Sequence, residues 1–194
     1  MIDLGALSLR LTSRPRRTLN EQATHRASVA AILRCSLEGP EILLLKRAEN
    51  PLDPWSGNVA FPGGRREPED ADSLATALRE TLEESGLDLH RYGRYLGPLD
   101  DLPAVARGRR TGMIISPHVF ELLTDEEPKL QVSEIAAYRW APIAPLLRGE
   151  QRTQYPYRHE GQLLHLPAYD LDGWLVWGLT FHMLQMLLEE LRGG

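Results

Sequence analysis

The chain has 194 residues, 42% hydrophobic and 25% charged, enough for one substantial domain with a buried core. A formal net charge of −5 argues against a general grip on nucleic acid, but leaves small anionic substrates open, since a bound metal or local arginines handle those. The single cysteine, Cys35, excludes an internal disulfide and fits a reducing, cytoplasmic setting, and no uninterrupted apolar run is long enough to span a membrane.

Residues 1–25 read as a leader with one weak helical turn, and its basic residues follow the apolar stretch, opposite to a secretory signal. Arg10, Arg14, Arg16 and Arg17 read as a solvated arm, the alternative being a phosphate or partner contact. Ala27 to Cys35 is apolar and partly β-branched, which predicts a buried strand with Cys35 as a core thiol. "LEGPE" is a turn and Ile42 to Arg47 the returning strand of a hairpin. A loop rich in Pro, Asp and Gly follows, then a short strand at Val59 to Phe61, broken by Pro62-Gly63-Gly64. Asp72 to Ser85 has good helix formers, a predicted buried stripe of Leu74, Leu78 and Leu82, and Gly86 where a left-handed C-cap sits. The Asp100-Asp101 pair reads as a solvated turn. Met113 to Leu122, Glu134 to Pro142 and Leu163 to Leu171 predict strands, Ile143 to Gly149 a short helix, and Trp174 to Gly193 a helix with an apolar face. The class is therefore α/β, a mixed β-sheet between helices, with residues 26–194 as a single domain that includes the last helix.

The helix after the Pro-Gly-Gly turn carries the chemistry. At roughly 100° per residue, Glu80, Glu83 and Glu84 fall within about 100° of arc. Like charges so spaced cost about 0.2–0.5 kcal/mol per pair when exposed, so a solvated acidic face is one reading of them. The other is a cation site. A glycine turn lets backbone approach closely, three carboxylates offer the hard oxygen ligands that Mg²⁺ or Mn²⁺ prefers, and Arg79 is placed to hold a neighbouring carboxylate in a fixed fork. Carboxylates, a divalent ion and a nearby anion equip a site for attack on phosphorus. The six histidines show no ligand spacing for zinc.

Gly64 together with "RETLEESGL", Arg79 to Leu87, resembles the Nudix box. The second half of the box matches residue by residue except at Thr81, which fills an apolar slot. In the first half, the strict spacing puts Ala71 in the glutamate slot and Arg65 in the glycine slot, and a one-residue insertion brings Gly64 and Asp70 into register. That insertion, with Asp for Glu, is similar to the coenzyme A pyrophosphatase branch. So is the upstream run from Leu43 to Arg47 with Gly57 and Phe61-Pro62-Gly63-Gly64, although Asp53 stands where that branch has Arg and Ala48-Glu49 replace Ser-Ala. "WGLT", Trp177 to Thr180, is similar to a late segment of coenzyme A and ADP-ribose pyrophosphatases.

The resemblance implies a Nudix-type α/β/α sandwich and a magnesium- or manganese-dependent hydrolysis of a nucleoside diphosphate derivative, with coenzyme A or an acyl-CoA the first substrate. ADP-ribose, nucleotide sugars or dinucleotides are the alternative, and a non-catalytic nucleotide-binding module is the alternative of another class. It implies Glu80 and Glu84 as metal ligands, Glu83 as a further ligand or base, Arg79 as their orienter, and Glu134 as a candidate general base. Arg47, Trp55, Gly63 and Gly64 are the expected substrate contacts. Asp70 reads either as a helix cap or first-turn acid or as part of the site. The expected partner is a small nucleoside diphosphate, without nucleic acid or membrane, with a homodimer left open.

Overall fold

The computed structural model describes residues 2–19, 23–50, 56–106 and 109–193, without the side chains of residues 105, 106, 109 and 110. Strand β1 (His25–Ser36) shows why the sheet is covered on both sides. Successive side chains of a strand point to opposite faces. Ala27, Val29, Ala31 and Leu33 enter one core, while Ala30 and Ile32 enter the other. Strand β2 (Gly39–Arg47) divides the same way, Ile42 and Leu44 against Leu43 and Leu45. Near-continuous apolar runs of this kind belong to strands buried on both faces.

The large sheet adds β3 (Val59–Ala60), β4 (Gly63–Arg65), β5 (Gly93–Pro98), β6 (Leu102–Ala106), β7 (Arg109–Leu122) and β8 (Ile135–Pro142). Its main path runs β3-β2-β1-β7-β5, with β4 on β1, β6 on β7 and β8 on β2. β1 and β7 are parallel and the other pairs antiparallel, so the sheet is mixed. Helices α2 (Ser73–Ser85) and α3 (Leu89–Tyr92) pack on one face, and α1 (Leu4–Ser13), α4 (Ile143–Leu147) and α5 (Gly178–Arg192) on the other. A second antiparallel sheet, β9 (Arg152–His159), β10 (Gln162–Leu171) and β11 (Trp174–Trp177), adds Tyr169, Leu171 and Val176 to the α5 side. Among the described residues no helix is long and apolar enough to cross a membrane.

Several expectations change at this level. The weak N-terminal turn is a ten-residue helix, capped by Asp3, whose side chain accepts from the amides of Gly5 and Ala6. Its Leu4, Leu7 and Leu11 recur at helical spacing and are buried in the main core, so this segment is a structural layer. Two of the basic residues do not belong to a solvated arm: Arg14 pairs with Asp100 at 2.7 Å and Glu190 at 2.8 Å, and Arg16 pairs with Asp101, while Arg17 is exposed. Asp101, read as half of a solvated turn, is buried, and also accepts from the Ser116 hydroxyl and the Leu19 amide. Cys35 is exposed, because the apolar run ends at Leu33 and the strand continues out toward the hairpin turn. Trp174 to Trp177 form a strand, and the last helix starts only at Gly178. Pro62-Gly63-Gly64 interrupts β3, but Gly63 and Gly64 resume pairing with Val29 and Ser28 as β4.

Removing a buried Leu side chain costs about 2–5 kcal/mol. Leu7→Ala, at a position with no exposed surface, is expected to lower unfolding free energy by that amount in a urea titration. A loss below about 0.5 kcal/mol would mean that α1 is peripheral to the fold.

Candidate active site

The site is where β4 lies over the second half of the acidic helix, residues 79–84. Asp72 caps α2 by accepting from the Ala75 amide at 2.8 Å, and Gly86 ends it at φ 68°. Ser73 in the first turn and Tyr95 on β5 bracket the buried His118 ring at 2.9 and 3.0 Å, tying this end of the helix to the sheet. The buried side of α2 differs from the leucine stripe. Thr76, Ala77, Leu78, Thr81, Glu84 and Ser85 are buried, while Leu82 is 47% exposed. Thr81, the departure from an apolar slot, donates to the Ala77 carbonyl at 2.7 Å, so the helix satisfies its buried hydroxyl.

Burial on this side of α2 extends to Glu84. The acidic face is not uniformly the unburied side, because Glu84 is only 4% exposed beneath the glycine turn. The Gly63 amide donates to Glu84 Oε2 at 2.9 Å, and Arg47 Nη1 lies 3.7 Å from Oε1. Burial pushes the Glu84 carboxyl up to about 7, against the pull of the Gly63 N–H and the Arg47 charge. Burial also raises Glu80, against the attraction of Arg79, and the charges of Glu83 and Glu134 add to the rise. Glu80 sits against the backbone of Gly64, where an added Cβ would fall 2.5 Å from its carboxyl carbon.

Arg79 organises the remaining acids. Its Nε and Nη2 grip both oxygens of Asp70 at 3.0 and 2.9 Å, and Nη2 also donates to the Arg65 carbonyl at 2.9 Å. Nη1 donates to Glu80 Oε1 and Glu83 Oε2, both at 3.0 Å. Asp70 is therefore neither the helix cap nor a first-turn acid. It is a buried anchor that also accepts from the Thr76 hydroxyl and the Glu67 amide, and the Arg79 fork holds its carboxyl well below the usual carboxylate range. Sequence reasoning left this role undecided. The available signal was an Asp with a partner Arg nine residues on, just ahead of a second Asp that takes the cap. Asp70→Asn removes one charge of this bidentate pair and is expected to cost about 1–3 kcal/mol of stability, read by thermal melting. An unchanged melting point would show that Arg79 is held by its other partners.

Among the expected site residues, Arg47, Gly63, Gly64, Arg79, Glu80 and Glu84 come together here. Glu83 is more peripheral, its side chain 56% exposed and turned to Arg79. Glu134 is exposed in the loop before β8, where its carbonyl accepts from the Ala48 amide at 2.7 Å, and its charge is felt at both Glu80 and Glu84. Trp55 and Asp53 lie outside the described residues. Among the described residues no three His, Cys, Asp or Glu side chains converge as a ready cage for an ion. The donor chemistry nevertheless suits a hard divalent cation: the buried Glu84 and the half-buried Glu80, both resisting ionisation through desolvation, lie under a close-approaching backbone.

Fold and site together define an α/β protein with a glycine turn set over an arginine-braced cluster of carboxylates. A model of the NUDIX domain matches residues 24–160, and the chain belongs to the Nudix family. It is a hydrolase of the pyrophosphatase type, and hydrolases of this family generally use divalent metal ions. It is 31% identical over 177 residues to the mouse mitochondrial coenzyme A diphosphatase NUDT8, covering 87% of this chain and 80% of that protein. It is 38% identical over 117 residues to the uncharacterized protein C14C4.10c of Schizosaccharomyces pombe, covering 59% of this chain but only 36% of that longer protein. A Caenorhabditis elegans Ap4A hydrolase superposes with a TM-score of 0.53 at 20% identity, over 64% of this chain and 85% of the other, a likeness of fold.

Proposed function

We propose that the protein hydrolyses the diphosphate bridge of coenzyme A or an acyl-CoA, releasing a phosphopantetheine and adenosine 3′,5′-bisphosphate. The observation that carries this reading is the 31% identity to a coenzyme A diphosphatase over most of both chains. The Leu43 to Arg47 run and the Phe61 to Gly64 turn support it, since they place Arg47 and the Gly63 amide at Glu84.

Glu80 and Glu84 are the proposed ligands of Mg²⁺ or Mn²⁺, with Glu83 a further ligand or a base. The bound ion supplies positive charge against the diphosphate and lowers the pKa of water. Arg79 positions Glu80 and Glu83, and Asp70 positions Arg79. Glu134, exposed and with its charge felt at both Glu80 and Glu84, is the proposed acceptor of the proton as water attacks one phosphorus of the bridge. Arg47 and the Gly63-Gly64 backbone bind the phosphates, with Trp55 a further substrate contact. The exposed, single Cys35 suits a reducing, cytoplasmic compartment.

The test is a panel of diphosphates incubated with and without Mg²⁺ or Mn²⁺, with products identified by mass. Coenzyme A should be cut to the two named products with the highest kcat/KM. Faster cleavage of ADP-ribose, nucleotide sugars or dinucleotides would reassign the substrate. Tight binding without cleavage of any of them would make the protein a nucleotide-binding module.

A further inference from the structure

The loop that carries Glu134 crosses the α2 face of the large sheet as a strap, from Leu123 after β7 to Glu134 before β8. Its outer part is clamped at Glu127. One carboxylate oxygen accepts from Arg34 Nη1 at 2.7 Å, the other accepts from Trp140 Nε1 at 2.9 Å, and the Tyr138 hydroxyl donates to the same group. Arg34 is fixed in turn, its Nε donating to Glu41 at 2.8 Å and its guanidinium lying 4.1 Å from the centre of the Trp140 ring. Strand register puts these partners on one face: Arg34 stands opposite Glu41, and Trp140 and Tyr138 stand opposite Leu43 and Leu45, which enter the α2-side core. An exposed ion pair contributes little where two long side chains must be ordered to form it. Here Glu41 and the Trp140 ring order Arg34 independently of Glu127, so the clamp closes on a prearranged partner.

Beyond the clamp, the strap is fastened along the end of α2. Pro128 is buried, and Leu130 packs against the α2-side core. The Lys129 amide donates to the Ser85 carbonyl at 2.7 Å, and the Gln131 amide donates to the Glu84 carbonyl at 3.0 Å. Both carbonyls belong to the last turn of α2, where a helix leaves its acceptors without internal partners. The chain then turns back: the Gln131 carbonyl accepts from the amides of Glu134 and Ile135, both at 2.9 Å, and Ile135 is buried. Glu134 is presented on this turn, and its own carbonyl accepts from the Ala48 amide, next to Arg47. Glu84 therefore serves two parts of the site. Its side chain meets the Gly63 amide, and its carbonyl holds the strap.

We propose that Glu127 is a positioning residue for the reaction: clamped by Arg34 and Trp140, it sets the strap whose turn presents Glu134 to the attacking water. This rests on the reading of Glu134 as the proton acceptor and extends it to the residues that hold Glu134 in place. The requirement is geometric. A base must come within about 2.6–3.2 Å of the group whose proton it takes, and a misplacement of about 1 Å costs about 100-fold in rate. An exposed loop residue meets that tolerance only when its backbone is tied to rigid elements. Gln131 ties the strap to α2, Ala48 ties it to β2, and Glu127 ties it to β1 and β8.

The experiment compares the full chain with Glu127→Ala, Glu127→Gln, Glu134→Gln and the double variant Glu127→Ala/Glu134→Gln. Amide hydrogen exchange is read without metal, and turnover is read with Mg²⁺ on coenzyme A or whichever diphosphate is cut fastest. The Glu127 side chain is 51% exposed, so its removal opens no cavity and the variant should fold. Glu127→Ala should speed exchange at the Lys129, Gln131 and Glu134 amides by about ten-fold or more, while the amides of β1 keep parental rates. It should lower kcat by about ten-fold and leave KM within about two-fold. Glu127→Gln keeps acceptor capacity for Trp140 and Tyr138 and should recover most of that loss. In the Glu134→Gln background, Glu127→Ala should lower kcat no further, because a residue that acts through another adds nothing once the other is gone. The proposal is overturned if exchange along the strap is parental in Glu127→Ala, if kcat is parental, or if the two losses multiply in the double variant. Parental kcat in Glu134→Gln alone sinks the reading of Glu134 as base, and the exchange rates then decide the clamp by themselves.

Discussion

Glu84→Gln is expected to abolish turnover and, without metal, to leave the protein at least as stable as the parent at pH 8. The two effects have one cause. Glu84 is buried, and its carboxyl is pushed up to about 7 in the folded chain. Its unfolded value is near 4.3, so between about pH 4.5 and 7 the folded state holds a proton that the unfolded state has lost. Stability from this group is therefore fully present below about pH 4.5 and is lost as pH rises through about 7, leaving an ionised carboxylate under the glycine turn. That cost is on the order of 3 kcal/mol at alkaline pH. Glutamine keeps an oxygen to accept from the Gly63 amide and carries no charge, so the variant should lack this component of the pH dependence. Added Mg²⁺ or Mn²⁺ should raise the melting point of the parent and not that of the variant, since a ligand that binds the folded state stabilises it. Activity should fall by about 100-fold or more. Parental turnover in the variant, or an equal metal-induced rise in melting point, would remove the site from this carboxylate.

The contrast between the legible and illegible parts of the sequence follows from this geometry. The box from Arg79 to Leu87 could be read because its residues are local, and helical spacing alone places three acids on one side. Helix α2 itself and its Gly86 cap could be read for the same reason. The burial of Glu84 was not legible, because it depends on β4 folding back over the helix through Gly63, 21 residues away in sequence. The stripe of Leu74, Leu78 and Leu82 failed at Leu82 because the sheet faces Ala77, Thr81 and Ser85, small residues that permit close helix-to-sheet approach. α1 was missed as a core layer because its partners, Leu96 on β5 and Leu187 and Leu188 on α5, are remote and give no local signal. Asp101 escaped for a similar reason, since an acid pair in a turn reads as solvated until Arg16 and Ser116 arrive from elsewhere.

Paired alanine substitutions in the glycine turn should separate fold from chemistry. At Gly63 the backbone adopts φ 152°, and a Cβ would fall 2.3 Å from the Ser28 carbonyl oxygen and 2.6 Å from the Val29 α-carbon. Both obstacles are main chain of β1, in the middle of the sheet, and neither has room to retreat. Gly63→Ala is expected to cost on the order of 3 kcal/mol, or to prevent folding. At Gly64 the obstacle is different in kind. A Cβ would meet the Glu80 carboxyl group at 2.5 Å, and this is the far end of a flexible side chain. Glu80 swings aside at little expense, so Gly64→Ala should shift stability by less than about 1 kcal/mol. The displaced carboxylate, however, leaves the turn and its place between Arg79 and Glu84. A misplacement of about 1 Å at a reacting centre is worth about 100-fold in rate, and kcat for Gly64→Ala should fall by that order. The comparison uses urea unfolding for both variants and turnover for whichever folds. Should Gly64→Ala lose stability as heavily as Gly63→Ala, the second glycine is structural and its contact with Glu80 incidental. Should Gly64→Ala keep its kcat, Glu80 does not act from beneath the turn.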